Sequence, residues 1–166
     1  MKKLLIAVFA MITVSVFAQD KQKNGTIYKE HPYITIVNNS NELFLKQDWD
    51  GLAKLYADTA KFYDPSSSKA ISLADEKKGW SGIYNDWEQI SATKQGYPDG
   101  LQYDKDPFTV QSWWVITAAN KKTKKTVKVY MVQFDEFNKD GKIAREISYY
   151  DQTPFIEASK EATTTK

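Results

Sequence analysis

Few residues of this chain have the type and setting to do chemistry. There is no cysteine and one histidine, so disulfides, thiolate metal sites and thiol catalysis are excluded. His31 stands before Pro32 with no second histidine and no paired-carboxylate motif, a poor metal site. No serine sits in a nucleophile-elbow context, so a catalytic triad has no starting point. His31 is expected to be a surface or capping residue. Arg145, the one arginine, is expected to form an ion pair on a sheet surface. No phosphate loop or dinucleotide fingerprint is present, so neither a metal nor a cofactor is expected. Asp64 remains. It ends an apolar run, Ala60 to Tyr63, and faces a Pro-Ser-Ser-Ser loop. At a cavity edge, partial burial would raise its pKa and make it a usable base. Asp before Pro also starts ordinary turns with its oxygens bonded to nearby backbone, and residue type does not choose between the two.

The chain ends narrow the setting. Lys2 and Lys3 precede a nearly continuous apolar run from Leu4 to Phe17, closed by Val16-Phe17-Ala18. This is the pattern of a cleavable signal peptide over 1–18, and the run is short for a membrane span. An exported protein, periplasmic or secreted, is expected. The formal charge of +2 disappears once Lys2 and Lys3 are removed. A mature chain without net charge has no electrostatic case for nucleic acid or for a membrane surface. Lys121, Lys122, Lys124 and Lys125 lie between two strand-like runs and suit a solvated hairpin tip. Residues 19–31 suggest a loose lead-in. The Ser/Thr/Lys/Glu-rich stretch 156–166 suggests a disordered tail. Between them, 32–155 has the size of one domain with one core.

The elements that must position Asp64 follow from periodicity. Tyr33, Ile36, Val37, Ser40 and Phe44 recur at helical spacing, with Pro32 suited to the first turn. Asp48 offers an N-cap for a second helix carrying Leu52, Leu55 and Tyr56. Ser72 and Asp75 predict a capped helix from about Asp75 to Trp87, with Asp75 and Glu76 at its positive end and Trp80, Ile83, Tyr84 and Trp87 as its stripe. Strand-like runs then cover Phe108 to Ala119, Thr126 to Phe137 and Lys142 to Asp151. Helices first and hairpins after give an α+β layer.

The ordered strings Asp48-Trp49-Asp50-Gly51-Leu52, Leu55-Tyr56-Ala57-Asp58, Ala60, Asp64-Pro65, Asp140-Gly141-Lys142-Ile143 and Tyr149-Tyr150-Asp151 resemble the nuclear transport factor 2-like superfamily. Within it the chain looks most like the SnoaL-like and ketosteroid-isomerase-like groups. The resemblance implies a cone: three N-terminal helices on a strongly curved antiparallel sheet, with a pocket between them. It also implies pairing into homodimers through the outer sheet face. Carried across residue by residue, it puts Asp64 where the isomerases keep a proton-shuttling carboxylate. Gln133 and Ser40 fall where those enzymes place two oxyanion donors. Neither is the family residue, which argues against steroid isomerisation. Ser40 has an alternative, bonding back to its own helix. Ser148 falls where epoxide-hydrolase-like members keep an acid, which disfavours that chemistry. Trp80 matches a pocket-lining aromatic, and Trp87, Ser148 and Tyr150 are the other expected lining residues.

The same cone hosts many activities, so fold does not give function. The expectation placed first is a non-enzymatic pocket for a hydrophobic or aromatic small molecule. Next is a cofactor-free isomerase, cyclase or hydratase with Asp64 as base. Third is a structural or partner-binding domain whose cone is filled by its own aromatics.

Overall fold

The computed structural model describes residues 23–64 and 69–160. The expected signal segment, 1–18, lies outside them, as do the serines following Pro65 and the last residues of the expected tail.

Helix α1, Pro32–Leu45, starts where His31 stops being extended and its ring Nδ1 accepts the Tyr33 N–H at 3.2 Å. His31 is therefore the cap, and it also stacks on Phe108 at 4.1 Å. The helix buries Ile34, Val37 and Ser40, and Tyr33 lies flat on Phe137 at 4.0 Å. Helix α2 is the short turn Trp49–Ala53, capped by Asp48, whose Oδ1 accepts the Gly51 N–H at 2.9 Å. A Cβ on Gly51 would lie 2.4 Å from Asp48 Oδ2, so a larger residue there would push the capping carboxylate aside. The helix expected to continue through Tyr56 stops earlier. Tyr56 instead opens strand β2, Tyr56–Tyr63, because pairing with a distant strand outweighs local helical spacing.

Strand β3, Ile71–Ser72, folds back on β2 and leads into helix α3, Leu73–Asp86. Ser72 caps α3 by accepting the Asp75 N–H at 3.2 Å, as its spacing predicts. Trp87 does not end this helix. It begins strand β4, Trp87–Lys94, which pairs with β6, Thr109–Asn120. Strand β5, Asp99–Gln102, joins the other end of β6, and β1, Thr26–Tyr28, pairs with β5. Part of the expected lead-in is thus a strand. Strand β7, Thr126–Phe137, lies between β6 and β8, Ile143–Tyr150.

The sheet has eight strands in the order β1-β5-β6-β7-β8-β2-β3, with β4 on the free stretch of β6. It is antiparallel except for β2 and β8, which run parallel, so the curved sheet of this α+β cone is mixed. The hairpin tip carries the four lysines. There Asn120 Oδ1 accepts the N–H groups of Lys122 and Thr123. A short helix α4, Thr153–Ser159, occupies the start of the expected tail. Phe155 and Ala158 anchor it: Phe155 meets Trp87 edge-on at 5.1 Å, and Ala158 is buried in a satellite core with Trp87 and Val127. Thr123 Oγ1 ties it to the hairpin by donating to the Ala158 carbonyl at 2.7 Å. The main core is Val37, Leu52, Phe62, Val110 and Ile143 with the rings around them. Among the described residues no helix is long and apolar enough to cross a membrane.

Candidate functional site

Residues on one face of a strand alternate with those on the other. In β7 and β8 the inward phase builds three cross-strand pairs: Met131 with Tyr150, Gln133 with Ser148, and Asp135 with Glu146. The inward phase of β6 adds Trp114, Ile116 and Ala118. Helices α1 and α3 face this surface across a cavity of about 590 Å³, within the range of small-molecule sites. Ser40, Asp64, Trp80, Trp87, Gln133, Ser148 and Tyr150 all line it. Ile83, Asp86 and Ile156 are exposed lining residues and mark its mouth. The filled cone is thereby corrected. The rings pack on one another along the walls, Tyr56 with Trp80 at 5.6 Å and Phe62 with Trp80 at 5.9 Å, and leave the middle open.

The closed end is acidic. Tyr56 donates its hydroxyl to Glu146 Oε2 at 2.5 Å, and Ser148 reaches Glu146 Oε1 at 3.4 Å. Gln133 Nε2 donates to both oxygens of Asp135, at 3.0 and 3.1 Å. Asp135 is fully buried. Burial, and then the Glu146 charge, push its carboxyl well above the ordinary range, with Gln133 opposing. Burial raises Glu146 too, against the hydrogen bonds from Tyr56 and Ser148. Glu76, on α3, is raised to about 7, first by burial and then by the charges of Glu146 and Asp64, while a hydrogen bond from Trp80 works the other way. The Tyr150 phenol is raised by burial, with Asp64 and Glu76 adding to it. The charges of Asp64 and Glu146 thus act on Glu76, and those of Asp64 and Glu76 on Tyr150, across one space.

The expected donors are engaged. Ser40 Oγ donates to the Val37 carbonyl at 2.8 Å, back into its own helix, and turns lone pairs rather than a proton to the cavity. The Gln133 amide N–H groups are held by Asp135. Arg145 lies on the outer face, 3.1 Å from Glu136 and over the Tyr63 ring, in the surface pair expected of it. Sequence reasoning missed Tyr56, Asp135 and Glu146, and read Glu76 only as a helix-dipole acid. One signal was available. Asp135 has the same parity as Val127, Val129, Met131 and Gln133, which puts an acid on the apolar phase of a strand. Among the described residues no group of acids or histidines is placed to hold a metal ion.

Solved structures share this architecture. A candidate polyketide cyclase from Xanthomonas campestris aligns with a TM-score of 0.61 and 16% identity, over 80% of this chain and 100% of that one. IdmH, a candidate polyketide cyclase from Streptomyces antibioticus, aligns at 0.63 and 15%, over 77% and 98%. A Catenulispora acidiphila protein with a ketosteroid isomerase-like fold, solved in complex with trimethylamine, aligns at 0.61 and 14%, over 75% and 91%. At these identities the likeness is one of fold. No curated protein matches the sequence significantly. The SnoaL-like domain profile, however, matches residues 37–146, a span that runs from within α1 to within β8 and ends on Glu146. The chain belongs to the SnoaL-like domain family.

Proposed function

We propose that the domain binds a hydrophobic or aromatic small molecule in the cone, its polar end toward Glu76, Glu146 and Gln133. The observation that carries this is a cavity of about 590 Å³ left open among rings that could have closed it. Aromatic walls supply contact area, and a few polar groups set orientation. The test uses N-phenyl-1-naphthylamine, a neutral probe that fluoresces in apolar surroundings. It should bind the protein, and Ala92→Trp, which puts a ring into the cavity, should abolish the signal while keeping the fold. A probe that never binds, or that ignores Ala92→Trp, sinks the proposal. The signal-like segment 1–18 supports work outside the cytoplasm; a mature chain starting at Gln19 in the periplasmic or extracellular fraction is the expected finding.

A second function, cofactor-free acid–base turnover, is favoured by Glu76. With a pKa of about 7 it is half-protonated near neutrality, the condition for a general acid or base. In this reading Asp64 and Glu76 exchange the proton. Tyr56, rather than Ser40, is the donor nearest the acids. Deuterium exchange next to the carbonyl of a bound cyclic ketone would show it. The exchange should fall by about 100-fold or more in Glu76→Gln or Asp64→Asn, and exchange unaffected by both substitutions would rule it out.

A further inference from the structure

Two independent features of the cavity bear on the charge of what it holds. The first is its charge inventory. Asp64, Glu76, Asp86 and Glu146 line it, Asp135 lies beneath Gln133, and no lysine, arginine or histidine is among the described lining residues. The strongest electrostatic influences on Glu76 are other acids. Burying the carboxyls of Glu76 and Glu146 close together costs stability. The second is the wall. Tyr56, Phe62 and Trp80 form one ring cluster beside Glu146 and Glu76, and Trp87, Phe155 and Tyr150 form another toward the mouth. Ring faces attract cations through their quadrupole, most strongly where water is excluded. The acids do not converge as metal ligands do. They are spread over a space of organic-ligand dimensions.

We infer that the ligand is an organic cation, an amine or quaternary ammonium compound with an aromatic or alkyl body, its charge held between Glu76 and Glu146 and its body against Trp80 and Trp87. This rests on the small-molecule reading above and narrows it. A neutral carbonyl ligand would want these acids protonated, as donors. A cation wants them ionised, and by linkage it drives their protons off. The groups facing Glu76 are Asp64 at the end of β2, Tyr56 on β2, and Glu146 and Tyr150 on β8. All of them are acids or phenols. Raising the pH therefore adds negative charge to the cavity and should tighten cation binding.

Calorimetry with three probes of similar size separates the outcomes: benzyltrimethylammonium, neutral acetophenone and phenylacetate. At pH 8 the ammonium should bind at least about tenfold more tightly than the other two. Its affinity should drop by a similar factor at pH 5, and protons should be released on binding, seen as heats that depend on the buffer. Glu76→Gln and Glu146→Gln should each weaken the ammonium more than acetophenone. Glu76→Gln also removes an ionisation that burial opposes, so it should fold. Glu136→Gln, on the outer face, should change none of the three. Acetophenone binding as tightly as the ammonium at pH 8, or ammonium binding indifferent to pH and to both variants, overturns the inference but leaves the small-molecule reading standing. If no probe binds, N-phenyl-1-naphthylamine included, both fall.

Discussion

Asp135 and Glu136 are adjacent acids on β7 and have opposite surroundings. Glu136 points outward and meets Arg145 across the strand at 3.1 Å, in a pair open to water. Asp135 points inward, fully buried, with the Gln133 amide donating to it and Glu146 across the strand. The outer face of these strands also carries exposed tyrosines, Tyr130 and Tyr149. The inner face carries the cavity. A shift of one residue separates an acid that is solvated and paired from one whose ionised form is opposed by everything around it except an amide. On the outer face charge is cheap and does little for stability. On the inner face it is expensive, yet Asp135 and Glu146 sit there side by side, with Glu76 facing them from α3.

The sharpest way to break this contrast is through pH. A carboxyl whose folded pKa lies above its unfolded value stabilises the protein while both states are protonated. That stabilisation is lost as the pH rises through the folded pKa. For Glu76 the window runs from its ordinary 4.5 to about 7, and the loss is about 3 kcal/mol. Urea unfolding should therefore show stability falling across this window. Glu76→Gln should flatten the fall and Glu136→Gln should not, and equal slopes in all three proteins would erase the distinction between the faces.

A smaller effect is expected at Tyr56. Its hydroxyl holds Glu146 at 2.5 Å and lowers that acid's proton affinity against burial. Tyr56→Phe should cost about 2 kcal/mol where Glu146 is ionised and should shift the Glu146 carboxyl resonance to titrate at higher pH. A resonance that does not move would mean that the hydroxyl does not set the charge of the cavity.

The smallest belongs to the outer face. Arg145→Ala should cost about 0.5 kcal/mol, reduced further by salt, with cavity binding unchanged. A loss several times larger would place the outer pair among the supports of the site.

The elements that carry their own periodicity were legible in the sequence: α1, α3 and strands β6 to β8. The seven candidate residues named from the sequence do lie on the cavity wall, although Trp87 reaches it from a strand rather than from the helix stripe it seemed to complete. Strands β4 and β5 were not. β4 has a polar sequence, an irregular register at Gln89 and one partner strand, β6. β5 is a short strand that includes Gly100, where a Cβ would lie 2.7 Å from the Phe108 ring, a contact that its own residues do not announce. The acidic end of the cavity was hidden for a related reason. Glu146 sits in Arg-Glu-Ile-Ser, which alternates too weakly to show its phase. Tyr56 has helical spacing to Leu52, and only its pairing with β8 puts it in a strand.

That pairing has a consequence for the order of events during folding. β2 and β8 lie far apart in the chain and run parallel, so joining them is a long-range pairing, a slow and entropically costly step. Glu146, Ser148 and Tyr150 arrive with β8, after α1 to α3 and every other strand have left the ribosome. A partly made chain can hold most of the sheet and still have no binding site. If the proposed ligand is the cone's occupant, its binding would report that β8 has docked against β2.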